Sequence, residues 1–294
     1  MANLKEIRGR ITSVASTQQI TKAMKLVSAT KLRKAQSAII QMRPYAAKLK
    51  SILGNLSSSI DDPKLARYFE YREPKKVLVV LITSDRGLCG AFNSNALKKA
   101  YSVINGKFQK INKEDITILP LGKKGGEVFK KAGYTIDNRF VDIFQNLNSQ
   151  AAFTIGDFLL EEFLAGKYDC IEVVYNQFKN AATQILTAEQ FLPVSLEDFQ
   201  ESAGAGSNID YIFEPSKVQI LEDLVPRSLK TQIYRSLLDS FASEHGARMV
   251  AMEKATENAG ELIKSLKLKY NQARQAAITN EISEIVGGAA ALES

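Results

Sequence analysis

Two long helical patterns, one at each end of the chain, constrain this fold more than any other feature. After Pro226 no proline occurs as far as Val286, and glycine appears only at Gly246 and Gly260. At ~1.5 Å per residue, about sixty helical residues make a rod of roughly 90 Å. One seam of that rod runs Leu238, Phe241, His245, Arg248, Met252, Ala255, Ala259, Leu262, Leu266, Lys269, Ala273, Ala276 and Asn280, in alternating steps of three and four. That is coiled-coil spacing, and its many alanines let a partner helix approach closely. A helix this long cannot bury its stripe alone.

The partner predicted from sequence is the N-terminal segment. Leu4, Ile7, Ile11 and Val14 step by three and four, and so do Ile39, Met42, Ala46, Leu49, Leu53 and Leu56. Between these runs the apolar phase drifts through Ile20, Met24 and Val27 to Leu32 and Ala35, which predicts a local change of winding. Pro44 predicts a bend or a loosened turn. Gly54, the serines 57–59 and Asp61-Asp62-Pro63 end the helix. The chain therefore starts a rod, leaves it to build something else, and returns.

The excursion alternates strand and helix. Residues 77–83, 116–121, 170–175 and 184–192 read as strands, and residues 93–104, 123–132 and 151–165 as helices. Residues 201–208, with Gly204 and Gly206, read as a connection. The expected fold class is α/β with a long antiparallel coiled coil. Its domains are an N-terminal coil helix at 1–60, a Rossmann-like α/β body at 76–193, and a C-terminal coil helix at 209–294 that pairs with the first.

Charge is concentrated in the first of these segments. Of 294 residues with a net charge of +7, the first sixty carry eleven Lys and Arg against one acid, Glu6. Such a stripe predicts a polyanionic partner: nucleic acid, anionic lipid or an acidic protein surface. Tyr45 is the only aromatic residue there, so the interleaved stacking platform of a single-strand nucleic-acid binder is missing and an acidic protein fits better. No apolar run approaches the ~18 residues of a membrane span, and the N-terminus lacks the apolar core of a secretory signal.

Chemistry is sparse. Two cysteines, Cys89 and Cys170, and a single histidine exclude a disulfide framework, Cys- or His-based metal centres and most catalytic triads. Both cysteines read as buried small hydrophobes. The loop Ser84-Asp85-Arg86-Gly87-Leu88-Cys89-Gly90 stands where an α/β fold binds phosphate, after a strand and before a helix. It lacks the lysine and hydroxyl of a phosphate loop, and Gly122-Lys123-Lys124-Gly125-Gly126 fails the same test, so both read as structural turns. Glu161-Glu162 reads as a solvated face. His245, Arg248 and Lys269, polar on an apolar seam, either specify register or face a partner protein. No catalytic, cofactor or metal site is expected.

At this point the residues resemble a known family. Ile7-Arg8-Gly9-Arg10-Ile11 with Thr17-Gln18-Gln19-Ile20-Thr21-Lys22-Ala23-Met24, the loop from Ser84 to Asn93, Ser243-Glu244-His245-Gly246-Ala247-Arg248-Met249-Val250, Asn271-Gln272-Ala273-Arg274-Gln275-Ala276 and Ile285-Val286-Gly287-Gly288 are similar to the gamma subunit of the F-type ATP synthase, in its bacterial form. The resemblance covers essentially the whole chain in the family's order.

That resemblance implies a central rotor shaft that couples transmembrane proton flow to ATP synthesis or hydrolysis and is not itself an enzyme. The alternative is a basic coiled-coil scaffold for nucleic acid or anionic membrane. Implied partners are the alpha and beta subunits of the catalytic head, the epsilon subunit and the c-subunit ring. The resemblance further implies one copy per complex, no nucleic acid, membrane contact only through partners, and a peripheral place on the cytoplasmic face of the bacterial plasma membrane. Carried over by position, Met24, Lys25 and Arg248 face an acidic lever of beta, and Lys25 is basic where some relatives carry an acid. Gln275, Thr279, Glu281 and Glu284 match polar residues near the shaft tip that hydrogen-bond a loop of beta. Tyr211, Phe213 and Glu214 match the foot on the c ring or epsilon.

Overall fold

The computed structural model describes residues 4–56, 63–195, 214 and 216–292. In chain order its elements are α1 (Leu4–Leu56), α2 (Pro63–Ala66), β1 (Val77–Ile82), α3 (Phe92–Lys107), β2 (Ile116–Leu121), α4 (Lys123–Lys131), β3 (Thr135–Ile136), α5 (Ser149–Leu164), β4 (Cys170–Phe178), β5 (Gln184–Leu192) and α6 (Lys217–Leu292). The strand–helix alternation expected from the sequence is present. The four-residue α2 and the two-residue β3 were not anticipated, because neither is long enough to show a period. α6 begins nine residues before Pro226 and runs through it, as α1 runs through Pro44.

The chain divides into two compact units, Met1–Ser28 with Met249–Ser294, and Ala29–Arg248. The second unit is built on one five-stranded sheet of order β3-β2-β1-β4-β5. β1 pairs in parallel with β2 on one side and β4 on the other, and β5 closes the edge antiparallel to β4. All six residues of β1 are buried, as a central parallel strand covered on both faces requires. On one face α3 packs Ala96, Ala100 and Ile104 against Val77, Val79 and Ile116. On the other, Ile155, Leu159 and Phe163 of α5 join Leu49 and Leu53 of α1 and Leu221, Val225, Leu229, Ile233 and Leu237 of α6 in one apolar cluster. The helices of this face thus bury their stripes against the sheet, each large apolar side chain contributing about 1.5–3 kcal/mol. Asn148 caps α5, its Oδ1 accepting from the Ala151 N–H at 2.8 Å.

Three expectations need correction. The apparent drift in α1 is no change of winding: its inward positions continue in steps of three and four through Gln18, Thr21, Lys25 and Ser28 to Leu32 and Ala35. Polar residues hold the seam there, while Ile20 and Val27 are 59% and 58% exposed. In α6 the seam past Ala259 departs from the one expected at every second position, Leu266 and Ala273 being common to both. Ile263, Leu266, Tyr270, Ala273 and Ala277 turn inward, and Leu262, Lys269 and Ala276 outward. Both sets alternate three and four, and burying a tyrosine and an isoleucine rather than a lysine decides between them. Finally, Glu162 is not solvated: its side chain is largely buried and pairs with Lys167 at 2.5 Å.

Candidate functional site

Within the first unit α1 and α6 form an antiparallel pair. An Arg8 guanidinium N–H donates to the Tyr270 hydroxyl at 3.1 Å, and Lys25 Nζ meets Glu253 Oε1 at 2.5 Å. Between them, Gln18 Nε2 donates to the Thr256 carbonyl at 3.2 Å, and the hydroxyls of Thr21 and Thr256 lie 2.8 Å apart. Arg8 to Lys25 and Glu253 to Tyr270 span equal lengths of helix, so the register does not slip across this stretch. A polar layer in an otherwise apolar seam fixes that register, because a slipped pair would leave these groups unpaired.

Met24 and Lys25 are half-buried at this layer, with Lys25 engaged by Glu253. At the far end, Gln275, Thr279, Glu281 and Glu284 are all exposed, and every residue from Thr279 to Gly288 is. The Thr279 hydroxyl donates to the Gln275 carbonyl one turn back at 2.9 Å. The same stretch carries exposed apolar side chains: Ile278, Ile282 and Ile285 are 47%, 56% and 71% exposed. Glu214 is exposed in a bend, while Tyr211 and Phe213 lie outside the described residues.

Arg248, in the second unit, is buried and works inside the chain. One guanidinium nitrogen pairs with Glu244 a turn earlier. The other donates to the carbonyls of Arg86 at 3.1 Å and Gly87 at 3.3 Å. The loop it reaches is tied to itself as well. Ser84 Oγ donates to the Arg86 carbonyl at 2.6 Å, the Ser84 amide donates to Asn93 Oδ1 at 3.0 Å, and Asn93 Nδ2 donates to Ser84 Oγ at 2.7 Å.

The same loop occupies the phosphate seat of the fold. Helix N-termini bind anions through free amide donors, but those of α4 are engaged. The Lys123, Lys124 and Gly125 amides donate to Asp85 Oδ1, the Ser84 carbonyl and Thr83 Oγ1. Open α/β sheets bind ligands where the strand order reverses, here between β1 and β4. At that point Ser243 of α6 donates to the Asn176 carbonyl at 3.0 Å, and Gly246 packs on Ala181. Among the described residues no cluster of His, Cys, Asp and Glu is placed to hold a metal.

Burial sets the electrostatics around α6. His245 is pushed down to about 3 by burial and by the charges of Arg248 and Lys31, so it is neutral. Asp239 is pushed up to about 6, mainly by burial and further by Glu189. Arg235, Arg43 and a bond from the Phe178 backbone act against the rise. Cys170 is pushed up to about 12 by burial, which removes it as a nucleophile.

A family model described as ATP synthase matches residues 3–292. The ATP synthase gamma chain of Flavobacterium johnsoniae is 56% identical over 292 residues, 99% of each chain. The chain belongs to the ATP synthase gamma-chain family. Among solved structures, a chain of the Tetrahymena thermophila mitochondrial ATP synthase central stalk and c-ring is 28% identical, with a TM-score of 0.58, covering 80% of this chain and 99% of that one. A chain of the Euglena gracilis mitochondrial ATP synthase, in an assembly of OSCP, F1 and c-ring in rotational state 3, is 25% identical with a TM-score of 0.67, covering 98% and 94%. The match runs through both long helices and the sheet, and nothing in these relatives favours the nucleic-acid scaffold. No helix among the described residues is long and apolar enough to cross a membrane.

Family resemblance had pointed to Met24, Lys25 and Arg248, but not to Thr21, Glu253, Thr256 or Glu244, the residues they work beside. A signal for Glu253 and Thr256 existed: polar residues at the three-four spacing of α1, Thr21 among them, called for polar partners on the returning helix.

Proposed function

We propose that this chain is the central shaft of a bacterial F-type ATP synthase, a mechanical coupler rather than a catalyst. The observation that carries the reading is the antiparallel pair of terminal helices, in a chain 56% identical along its length to an ATP synthase gamma chain. In this reading the helices at 1–60 and 209–294 are the shaft and the body at 76–193 is inserted between them. Partners are the alpha and beta subunits, epsilon and the c ring, with one copy of this chain per complex on the cytoplasmic face of the membrane. Proton flow turns the shaft. A single asymmetric chain cannot touch three equivalent catalytic subunits identically, so its differential contacts bias each in turn toward a different nucleotide affinity.

The exposed polar tail Gln275, Thr279, Glu281 and Glu284 supports a role as the surface that meets beta, with Met24 and Lys25 as a second contact region. Glu214, Tyr211 and Phe213 belong to the foot in this reading. Arg248 is carried over in this reading as a further contact with beta. A non-catalytic role is supported by the filled N-terminus of α4 and by the helix lying across the switch point of the sheet.

The test is ATPase activity of alpha and beta subunits co-expressed with and without this chain, with the complexes sized by chromatography. A stable complex holding one copy and raised steady-state hydrolysis is expected. Failure to join the complex and unchanged turnover together sink the reading.

A further inference from the structure

The loop after β1 is held in a shape its own sequence disfavours. Leu88 has φ +64, the left-handed region that a residue with a Cβ seldom enters. Its side chain is 65% exposed, so no burial offsets the strain. Cys89 beside it is 1% exposed, with its sulfur 3.4 Å from Asn93 Nδ2. The base of the loop is tied by the bonds between Ser84 and Asn93 and by the Lys123 and Lys124 amides, which donate to Asp85 and Ser84. The only hydrogen bonds described from elsewhere in the chain to its tip are those of Arg248, to two consecutive carbonyls.

We infer that Arg248 is a positioning residue: it clamps the loop 84–90 onto α6, so that the exposed tip at Leu88 and the helix move as one body. This goes beyond the shaft reading, which assigns Arg248 outward to a partner. A guanidinium suits the task because its planar fork presents several donors at fixed angles and keeps its charge. Glu244, one turn earlier on the same face, orients the fork and balances that charge. The strain at Leu88 is then sustained by contacts from a distant segment, as strained loop residues require.

The two native cysteines provide the test in the full-length chain. Cys89 lies under the loop, and Cys170, on β4 at the sheet, serves as an internal control. Alkylation by N-ethylmaleimide is followed at each cysteine by peptide mass spectrometry. In Arg248→Ala the rate at Cys89 is expected to rise tenfold or more, with the rate at Cys170 unchanged. In Arg248→Lys, where one ammonium replaces the fork, an intermediate rise at Cys89 alone is expected, and this milder variant carries the test should the alanine form fail to fold. No rise at Cys89 in either variant overturns the inference. So does a parallel rise at both cysteines, which means that the arginine holds the whole body rather than the loop.

Discussion

Thr21 and Thr256, 235 residues apart in sequence, face each other across the helical pair with their hydroxyl oxygens 2.8 Å apart. Thr256 Oγ1 lies 2.7 Å from the Met252 carbonyl and Thr21 Oγ1 3.0 Å from the Gln18 carbonyl, so one hydroxyl gives its proton to its own helix while the other donates across the pair. Gln18 above and Lys25 below complete a polar layer that turns Ile20 and Val27 outward. The layer gives up apolar burial and gains a single register.

The threonines are energetically coupled. Thr21→Val or Thr256→Val leaves one hydroxyl in a half-dry seam without its partner and is expected to cost about 1–2 kcal/mol. The double variant should cost less than the two single costs together, by about 1 kcal/mol. Urea unfolding of the four proteins measures the cycle, and strict additivity would show that the contact is incidental.

Stability should respond to pH in two opposing ways. Asp239 titrates near 6 in the folded chain against an ordinary 3.8, so the folded state holds the extra proton between those values. Its contribution is therefore present at low pH and lost as pH rises toward 6. His245, pushed down to about 3 from 6.5, works the other way: the unfolded state binds the proton, and stability rises with pH between those values. Asp239→Asn should remove the first slope and unmask the second, with a gain of up to about 3 kcal/mol at pH 7. Unfolding free energies measured from pH 4 to 7.5 check this, and an unchanged profile in the variant would refute it.

Gly122 cannot be replaced cheaply. Its φ is +110, and a Cβ there would stand 2.0 Å from the Thr83 carbonyl oxygen, which belongs to backbone and cannot swing aside. Gly122→Ala should destabilise the sheet unit by about 3 kcal/mol or more, because strain and clash add. Gly133→Ala has the same sign of φ with nothing near its Cβ, so it isolates the conformational part. Equal thermal shifts in the two variants would mean that the close approach is immaterial.

Glu281 and Glu284 are exposed, so Glu281→Ala with Glu284→Ala should leave the fold and melting temperature of the chain unaltered. In the assembled complex, reconstituted in vesicles, the double variant should lower ATP-driven proton pumping relative to ATP hydrolysis. Pumping and hydrolysis both at the unmutated level would remove these residues from the contact surface.

Much of this was legible in the sequence. The run of β2 appears at its observed bounds and β1 only one residue longer than it is, because a buried parallel strand is apolar throughout and needs no phase. Burial of both cysteines followed from their isolation. The seam of α6 was found but misphased at Leu262, Lys269 and Ala276, since alternating steps of three and four admit two frames and an alanine-rich stripe scarcely distinguishes them. Of the site residues, the exposed tail at Gln275, Thr279, Glu281 and Glu284 came from family resemblance alone: nothing in their own pattern marks them.

Sequence by itself determined the two terminal helices, the α/β insertion between them and the family, because periodicity and long motifs are properties of the chain read in one dimension. Only the tertiary structure decided which face each helix buries and what Arg248 holds. Those outcomes depend on pairings such as Thr21 with Thr256 and Arg248 with the Arg86 and Gly87 carbonyls. A polar side chain does not announce its partner: whether it meets water, another protein or a carbonyl more than a hundred residues away is settled by what the folded chain brings within hydrogen-bonding distance.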